Sequence, residues 1–127
     1  MSYVKSYREL EVYKLARDLS GEIFILSKEF PKDEIYSLTN QIRRSSRSVG
    51  SQIAESWGKR RYVNHFVSKL TDADSEQMET QHWIEVAEEC KYIPAETSVN
   101  LIMKCESIGK MIQAMIDKSD SFCKMTK

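Results

Sequence analysis

Hydrophobic residues recur every three or four positions through most of the 127-residue chain. This spacing places them on one face of an α-helix, whereas no segment keeps the strict alternation of a half-buried strand. Three helix breakers divide the chain into four segments. The breakers are Pro31, Gly58 and Pro94, and the segments are 1–30, 32–57, 59–93 and 95–127. Each segment is predicted to form one amphipathic helix.

Four amphipathic helices with short connections predict an all-α fold, an antiparallel four-helix bundle of up-down-up-down topology. We expect a single domain over residues 1–127, with frayed ends at about 1–6 and 119–127. The second segment is rich in small residues, which favours close approach to a neighbouring helix. These residues are Ser45, Ser46, Ser48, Gly50 and Ser51.

Composition narrows the class of protein. Hydrophobic residues make up 41% and charged residues 30% of the chain, which excludes general disorder. No uninterrupted apolar stretch is long enough to cross a membrane, and the first residues are too polar for a signal peptide. Three cysteines without CxxC spacing indicate reduced thiols. We therefore expect a cytoplasmic protein without a membrane partner.

The sequence contains no recognisable catalytic or metal-binding motif. Bundles that bind two metal ions use two Glu-x-x-His motifs, and this chain has one, Glu79-x-x-His82. The other histidine, His65, has Tyr62 where the glutamate would be. A Gly-rich phosphate loop and a nucleophile elbow are also missing. We expect no catalytic residue, no metal and no cofactor, and hence a protein that is not an enzyme.

The formal net charge is zero, but the charges are unevenly distributed. Residues 1–61 carry twelve Lys and Arg against eight Asp and Glu, a net of +4, and residues 62–127 carry a net of −4. The basic excess is +5 within 43–61, and the acidic excess is −7 within 72–96. The charge pattern therefore indicates a local electrostatic partner despite the neutral total.

Two hypotheses follow from this pattern. In the first, the basic residues of 43–61 contact nucleic-acid phosphates, and an adjacent tyrosine stacks on a base. These candidates are Arg43, Arg44, Arg47, Lys59, Arg60, Arg61 and Tyr62. In the second, the basic and acidic faces meet each other, within the bundle or between subunits.

Four residues are candidates for a subunit interface. Arg44 and Glu55 share a row on the second helix but lie about 16 Å apart along it, so each needs a partner on another helix or another subunit. Trp57 and Trp83 are large apolar groups in polar surroundings, a setting that favours interfaces. We therefore expect a homo-oligomer.

Several short motifs together resemble a known family. They are Leu10-x-Val12-Tyr13, Phe30-Pro31-x-x-Glu34-x-Tyr36-x-Leu38, Gln41-Ile42-Arg43-Arg44-Ser45, Ser48-Val49, Ile53-Ala54-Glu55, Phe66-x-x-x-Leu70-x-x-Ala73-x-Ser75, Glu79 and Tyr92-Ile93. Over roughly residues 7–118 the chain resembles the four-helix-bundle proteins encoded in intervening sequences of bacterial 23S rRNA genes, the "S23 ribosomal protein" family. One difference is Ser56, where the family usually has glycine.

The resemblance implies an antiparallel bundle that assembles into a ring-like pentamer. It also implies kinship with the accessory protein of diversity-generating retroelements, a pentamer that works with a reverse transcriptase and nucleic acid. Our first hypothesis is thus a non-enzymatic homo-oligomer, a pentamer by this resemblance, that binds RNA or another nucleic acid through its basic patch. The alternative is a scaffold whose charged faces mediate self-assembly or docking of a protein partner, without nucleic-acid binding.

Overall fold

A computed structural model describes residues 4–124, and within them the fold is all-α, with five α-helices and no strand. The four long helices are α1 (Glu11–Ser27), α2 (Leu38–Gly58), α3 (Val63–Glu89) and α4 (Ala95–Asp117). A short α5 (Ser119–Lys124) follows, and single 3-10 turns at Tyr7–Glu9 and Lys32–Glu34 precede α1 and α2. The breaks between long helices coincide with the predicted breakers.

The long helices contact one another in a closed order, α1 with α2, α2 with α3, α3 with α4, and α4 with α1. Between α2 and α3, Arg44 lies against Glu79 whereas Glu55, eleven residues later, lies against Lys69. The contacts of these two helices therefore run in opposite directions along the chain. This pattern is consistent with the predicted bundle.

The core consists of the apolar stripes that the spacing predicted. Leu19, Ile53, Phe66 and Ile108 are fully buried, one from each long helix. The small residues of α2 allow close packing, as predicted, because the buried Ser45 hydroxyl lies 2.9 Å from that of Thr80 on α3. No helix of the described part of the chain is long and apolar enough to span a membrane.

The C-terminal part differs from the expectation of a frayed end at 119–127. Residues 119–124 form α5, which packs on α3 through Phe122, whose ring lies 5.7 Å from that of Phe66. A fragment with two apolar residues in six, Phe122 and Cys123, can dock where an apolar site is left uncovered at the end of the long helices. Residues 1–3 and 125–127 of the predicted frayed ends lie outside the described residues.

The end of α3 is closed by a left-handed residue. Lys91 has φ of 64°, the amide of Tyr92 donates to the carbonyl of Ala87, and the amide of Lys91 donates to that of Glu88. These two bonds form a Schellman motif, in which glycine is the usual left-handed residue. The motif turns the chain sharply into α4.

Candidate nucleic-acid interface

The predicted basic patch is not one surface, and this corrects the sequence-based picture. Residues 43 and 44 are neighbours in the sequence, but a helix turns about 100° per residue, so their side chains diverge. Arg43 and Arg47 extend towards α1, whereas Arg44 extends towards α3. Only Arg43 and Arg47, one helical turn apart, come together.

Arg43 and Arg47 are arranged around one aromatic ring of α1. Their guanidinium carbons lie 4.9 and 5.3 Å from the ring centroid of Phe24, and the ammonium of Lys28 lies 4.8 Å from it. The Nε of Arg43 also donates to the Ser27 hydroxyl at 2.7 Å. Cation–π attraction at these distances holds the cations in place without neutralising them.

The cations on this side of the molecule, Arg17, Lys28, Arg43 and Arg47, form no ion pair within the described residues. Across residues 4–124, no Asp or Glu oxygen lies within 4.0 Å of a charged nitrogen of Arg17, Arg43 or Arg47. The acids on α1 that could have approached, Asp18 and Glu22, instead pair with Lys104 of α4 at 2.8 and 2.6 Å. The cations of the α1–α2 side are therefore not neutralised by direct ion pairs within the described residues.

A groove of about 540 Å³ runs between α1 and α2 on this side. Its lining contains two arginines, three aromatic residues, several small residues and no carboxylate. The lining residues are Tyr7, Tyr13, Arg17, Ser20, Gly21, Phe24, Arg47, Gly50, Ser51 and Ala54. A groove with cations and polar hydroxyls in its walls is suited to an anionic ligand.

The α1 half of this groove was missed by sequence reasoning. Arg17 donates through Nη1 to the Tyr13 hydroxyl at 2.9 Å, and the Tyr13 ring meets the Tyr7 ring edge-on at 4.9 Å. Arg8 lies over the other tyrosine, 4.7 Å from the Tyr7 centroid. The i, i+4 spacing of tyrosine and arginine on α1 is a detectable sequence signal, but it does not reveal that α2 lies beside it.

The remaining predicted cations lie at the turn between α2 and α3. Arg43 and Gly58, the last residue of α2, are about 22 Å apart along the helix. The turn is therefore a separate site, beyond the end of the groove between α1 and α2. Lys59, Arg61 and Tyr62 are exposed there. Arg60 instead folds back, donating to the Trp57 carbonyl at 2.8 Å and lying 3.6 Å from the Trp57 ring, and this desolvation lowers its pKa.

Arg44 has its partners within the chain. It pairs with Glu79 and, at 3.4 Å, with Glu76 on α3, and the hydrogen bond to Glu79 raises its pKa. Glu79 also accepts from the indole nitrogen of Trp83 at 3.0 Å, and these bonds lower the pKa of its carboxyl, Trp83 contributing most. The carboxylate of Glu79, the glutamate of the Glu-x-x-His sequence, is therefore engaged in an ion pair with Arg44.

The other predicted interface residue on α2 is also paired. Glu55 forms a salt bridge with Lys69 of α3, with 3.1 Å between its carboxylate oxygen and the ammonium nitrogen. Both charged residues of the row therefore have a partner on another helix of the same chain. Trp57 and Trp83 are half-buried against the core and carry the polar contacts described above.

The sequence identifies the family to which this chain belongs. A sequence model of the 23S rRNA-intervening sequence protein family matches residues 8–114. The chain belongs to this family. The predicted resemblance is therefore confirmed, while the sequence has no detectable similarity to any protein of curated function.

A crystal structure shows that the fold recurs in the family. A protein of unknown function from the S23 ribosomal protein family of Bacteroides thetaiotaomicron VPI-5482 superposes on this chain with a TM-score of 0.74 and 24% sequence identity. The match covers 84% of this chain and 95% of the other.

Ser56, the residue that departs from the family's usual glycine, is buried in α2 and donates to the Ile53 carbonyl at 2.7 Å, so the helix continues through it.

Proposed function

We propose that this member of the 23S rRNA-intervening sequence protein family is a non-enzymatic, homo-oligomeric protein that binds RNA or another nucleic acid through its α1–α2 side. The observation that carries the proposal is a group of four cations. Lys28, Arg43 and Arg47 surround the Phe24 ring, and Arg17 lies across the groove. Each lies without an ion pair in the described part of the chain. Uncompensated arginines attract phosphate and release its counterions.

We also infer that the four long helices form an antiparallel up-down-up-down bundle. Ser27 at the end of α1 contacts Arg43 near the start of α2, whereas Tyr13 near the start of α1 approaches Gly50 later in α2. The same reversal holds between α2 and α3, and the α3–α4 connection is short. A bundle built in this way places the groove between α1 and the middle of α2, from Arg47 to Ala54.

Oligomerisation strengthens such a weak surface. The chain has zero net charge, so a single groove attracts nucleic acid only locally. Repeating the groove around a symmetric assembly converts later contacts into intramolecular ones and raises the overall affinity. A light-scattering mass equal to one chain throughout the micromolar range would reject this part of the proposal.

The binding proposal is tested with a labelled single-stranded RNA in fluorescence anisotropy titrations, from about 50 to about 250 mM KCl. We expect affinity to fall steeply with salt. The double variant Arg43→Gln, Arg47→Gln should weaken binding and make the slope of log K against log salt shallower by about 1.4, since each phosphate contact to a single strand contributes about 0.7. Absence of binding by the wild-type protein at low salt would reject the proposal.

A matched control removes the same charge elsewhere. Lys110→Gln, Lys118→Gln takes away two exposed cations from the α4 side and should leave the salt slope unchanged. If both double variants reduce binding equally, the charge of the whole protein matters and the α1–α2 side does not. Arg61→Gln tests separately whether the α2–α3 turn, with Lys59, Arg60 and Tyr62, extends the same binding surface.

The scaffold hypothesis makes a different prediction. If charged faces of separate subunits assemble, Arg44→Gln should disperse the oligomer, and the wild-type protein should not bind RNA. Pairing of Arg44 and Glu55 within the chain counts against these two residues as the charged subunit interface of this alternative, because neither needs a partner from a second subunit.

A further inference from the structure

We infer that the groove between α1 and α2 holds the phosphodiester backbone of a single nucleic-acid strand, with Arg17 and Arg47 binding phosphate oxygens from its two walls. This inference rests on the proposed function and names the part of the nucleic acid that is bound. Both residues line the groove, one on each helix, and no carboxylate lines it with them.

The guanidinium groups are already positioned for such a ligand. Arg17 uses one donor on the Tyr13 hydroxyl, and the guanidinium carbon of Arg47 lies 5.3 Å from the centroid of the Phe24 ring. A guanidinium carries five N–H donors, so most remain available. An arginine fixed against a ring and a hydroxyl loses little further freedom when it binds a phosphate through two parallel hydrogen bonds.

The aromatic rings of the groove are already engaged by cations or by one another, which favours contacts with the nucleic-acid backbone over contacts with its bases. Cations lie within about 5 Å of Phe24 and Tyr7, and Tyr13 is engaged by Tyr7 and Arg17. Base recognition in single strands requires free ring faces for stacking. Because cations and a neighbouring ring occupy this space, the groove offers phosphate contacts and little sequence preference.

The shape of the groove suits a backbone at close range. Gly21 lies exposed in the middle of α1, and a Cβ built there meets nothing beyond its chain neighbours and the nearby backbone of α1 within 4 Å. Glycine is unfavourable in a helix interior, and packing within the chain does not require it here. Together with the arginines, this position leaves open the space that a larger side chain would fill.

The small size of the groove favours a single strand. Its volume is about 540 Å³. Its α2 wall runs from Arg47 to Ala54, which is about 10 Å along the helix. A duplex, whose major groove alone admits a whole helix, is too wide to enter and would touch only the rim. A single strand can lie along the channel from Arg47 past Gly50 to Ala54, towards the cations of the α2–α3 turn.

The test is a groove-filling variant that keeps every charge. Gly21→Leu places an isobutyl group in the channel, and Ser75→Leu adds the same group to the exposed side of α3 as a control. In anisotropy titrations with an oligouridylate of about 20 nucleotides, Gly21→Leu should weaken binding about tenfold or more, whereas Ser75→Leu should change it less than about twofold. Leucine favours helix over glycine, so a thermal melt should show Gly21→Leu at least as stable as wild type.

The possible results separate the inference from the proposed function. If wild type binds and Gly21→Leu binds equally well, the groove inference is overturned while the proposed function stands. If wild type does not bind, the proposed function itself fails. Should Gly21→Leu not fold, Arg17→Gln replaces it and should reduce the salt slope by about 0.7.

Two further arms test the nature of the ligand. Oligoadenylate and oligouridylate should bind within about threefold of each other, and a duplex of the same length about tenfold more weakly. A preference of more than about tenfold for one base would overturn backbone recognition. Equal affinity for the duplex would overturn the assignment of a single strand.

Discussion

Two glycines in helix interiors should respond oppositely to the same substitution. In an exposed helix, alanine is about 1 kcal/mol more favourable than glycine. At Gly21 an added Cβ meets nothing beyond its chain neighbours and the nearby helix backbone within 4 Å, so Gly21→Ala should gain this full amount. At Gly109 the Cβ would lie 2.9 Å from Gln77 Nε2 and 3.3 Å from Asp74 Oδ1, so the Gln77 amide must move.

Movement of that amide removes two hydrogen bonds from a nearly buried group. Gln77 is 4% exposed, donates to Asp74 at 2.9 Å and accepts from Gln81 at 2.8 Å. Leaving such a group unsatisfied costs about 1–3 kcal/mol, which exceeds the helix-propensity gain of about 1 kcal/mol. We expect Gly109→Ala to lower the free energy of unfolding by about 1 kcal/mol, a separation of about 2 kcal/mol from Gly21→Ala.

The assay is urea denaturation followed by circular dichroism, at one protein concentration for all variants because assembly shifts apparent stability. In the Gln77→Ala background, Gly109→Ala should regain a positive effect, because the amide that it displaces is gone. If Gly109→Ala stabilises the wild-type protein as much as Gly21→Ala does, the close approach of α3 and α4 at Gly109 is not as described, and the reasoning is wrong.

Three smaller predictions concern the connections and the α2–α3 pair. Lys91→Gly should raise the free energy of unfolding by about 0.5–1 kcal/mol, because glycine adopts the left-handed conformation without the Cβ penalty; an unchanged urea midpoint would contradict this. Arg44→Gln should lower the free energy of unfolding by about 1 kcal/mol at most, because its ion pairs with Glu76 and Glu79 are partly exposed. The light-scattering mass should stay unaltered, and dispersal of the oligomer would instead place Arg44 at a subunit interface. The Tyr92 hydroxyl donates to Glu34 at 2.8 Å. Hydrogen bonds from Ser37, the larger cause, and from Tyr92 lower the pKa of the Glu34 carboxyl. The stability that these bonds contribute is therefore present above the ordinary carboxylate pKa and is lost as pH falls through the lowered value. Tyr92→Phe should therefore show a smaller drop in melting temperature on acidification than wild type, and an identical pH profile would count against the contact.

The acid-side prediction has a counterpart at high pH. Hydrogen bonding to Glu34 raises the pKa of Tyr92 to about 12. The contribution of this bond is therefore complete below the ordinary tyrosine pKa and is lost only as pH rises through the raised value. Spectrophotometric titration of the tyrosines should show one group ionising last in wild type, and that late step should be missing in Tyr92→Phe.

The helices could be predicted from the sequence because their signals are local. Apolar spacing of three and four identifies the buried faces, Pro94 directly precedes α4, and Pro31 lies in the connection between α1 and α2, just before the 3-10 turn Lys32–Glu34. The short α5 was not predicted, because its docking depends on Phe66, more than fifty residues earlier in the chain. A six-residue helix has too little intrinsic stability to leave a clear pattern.

The candidate site was predicted only in part, for a geometric reason. Proximity in the sequence grouped Arg43 with Arg44, whereas the helical rotation groups Arg43 with Arg47 and directs Arg44 to acids on α3. The helical repeat could have separated them without a structure. Nothing in the sequence, however, indicates that Arg17 lies across a groove from Arg47, thirty residues away.

The sequence by itself therefore determined the helices and the buried faces, since each depends on residues within a few turns of one another, and the family, since its motifs can be read in the sequence without the fold. Only the tertiary structure decided which charges are neutralised and which remain available. Helix packing pairs Arg44 with α3 carboxylates and Lys104 with α1 carboxylates, and it leaves the arginines of the α1–α2 groove without acidic partners. Electrostatic attraction depends on distances across the bundle, and those distances exist only once the helices have packed.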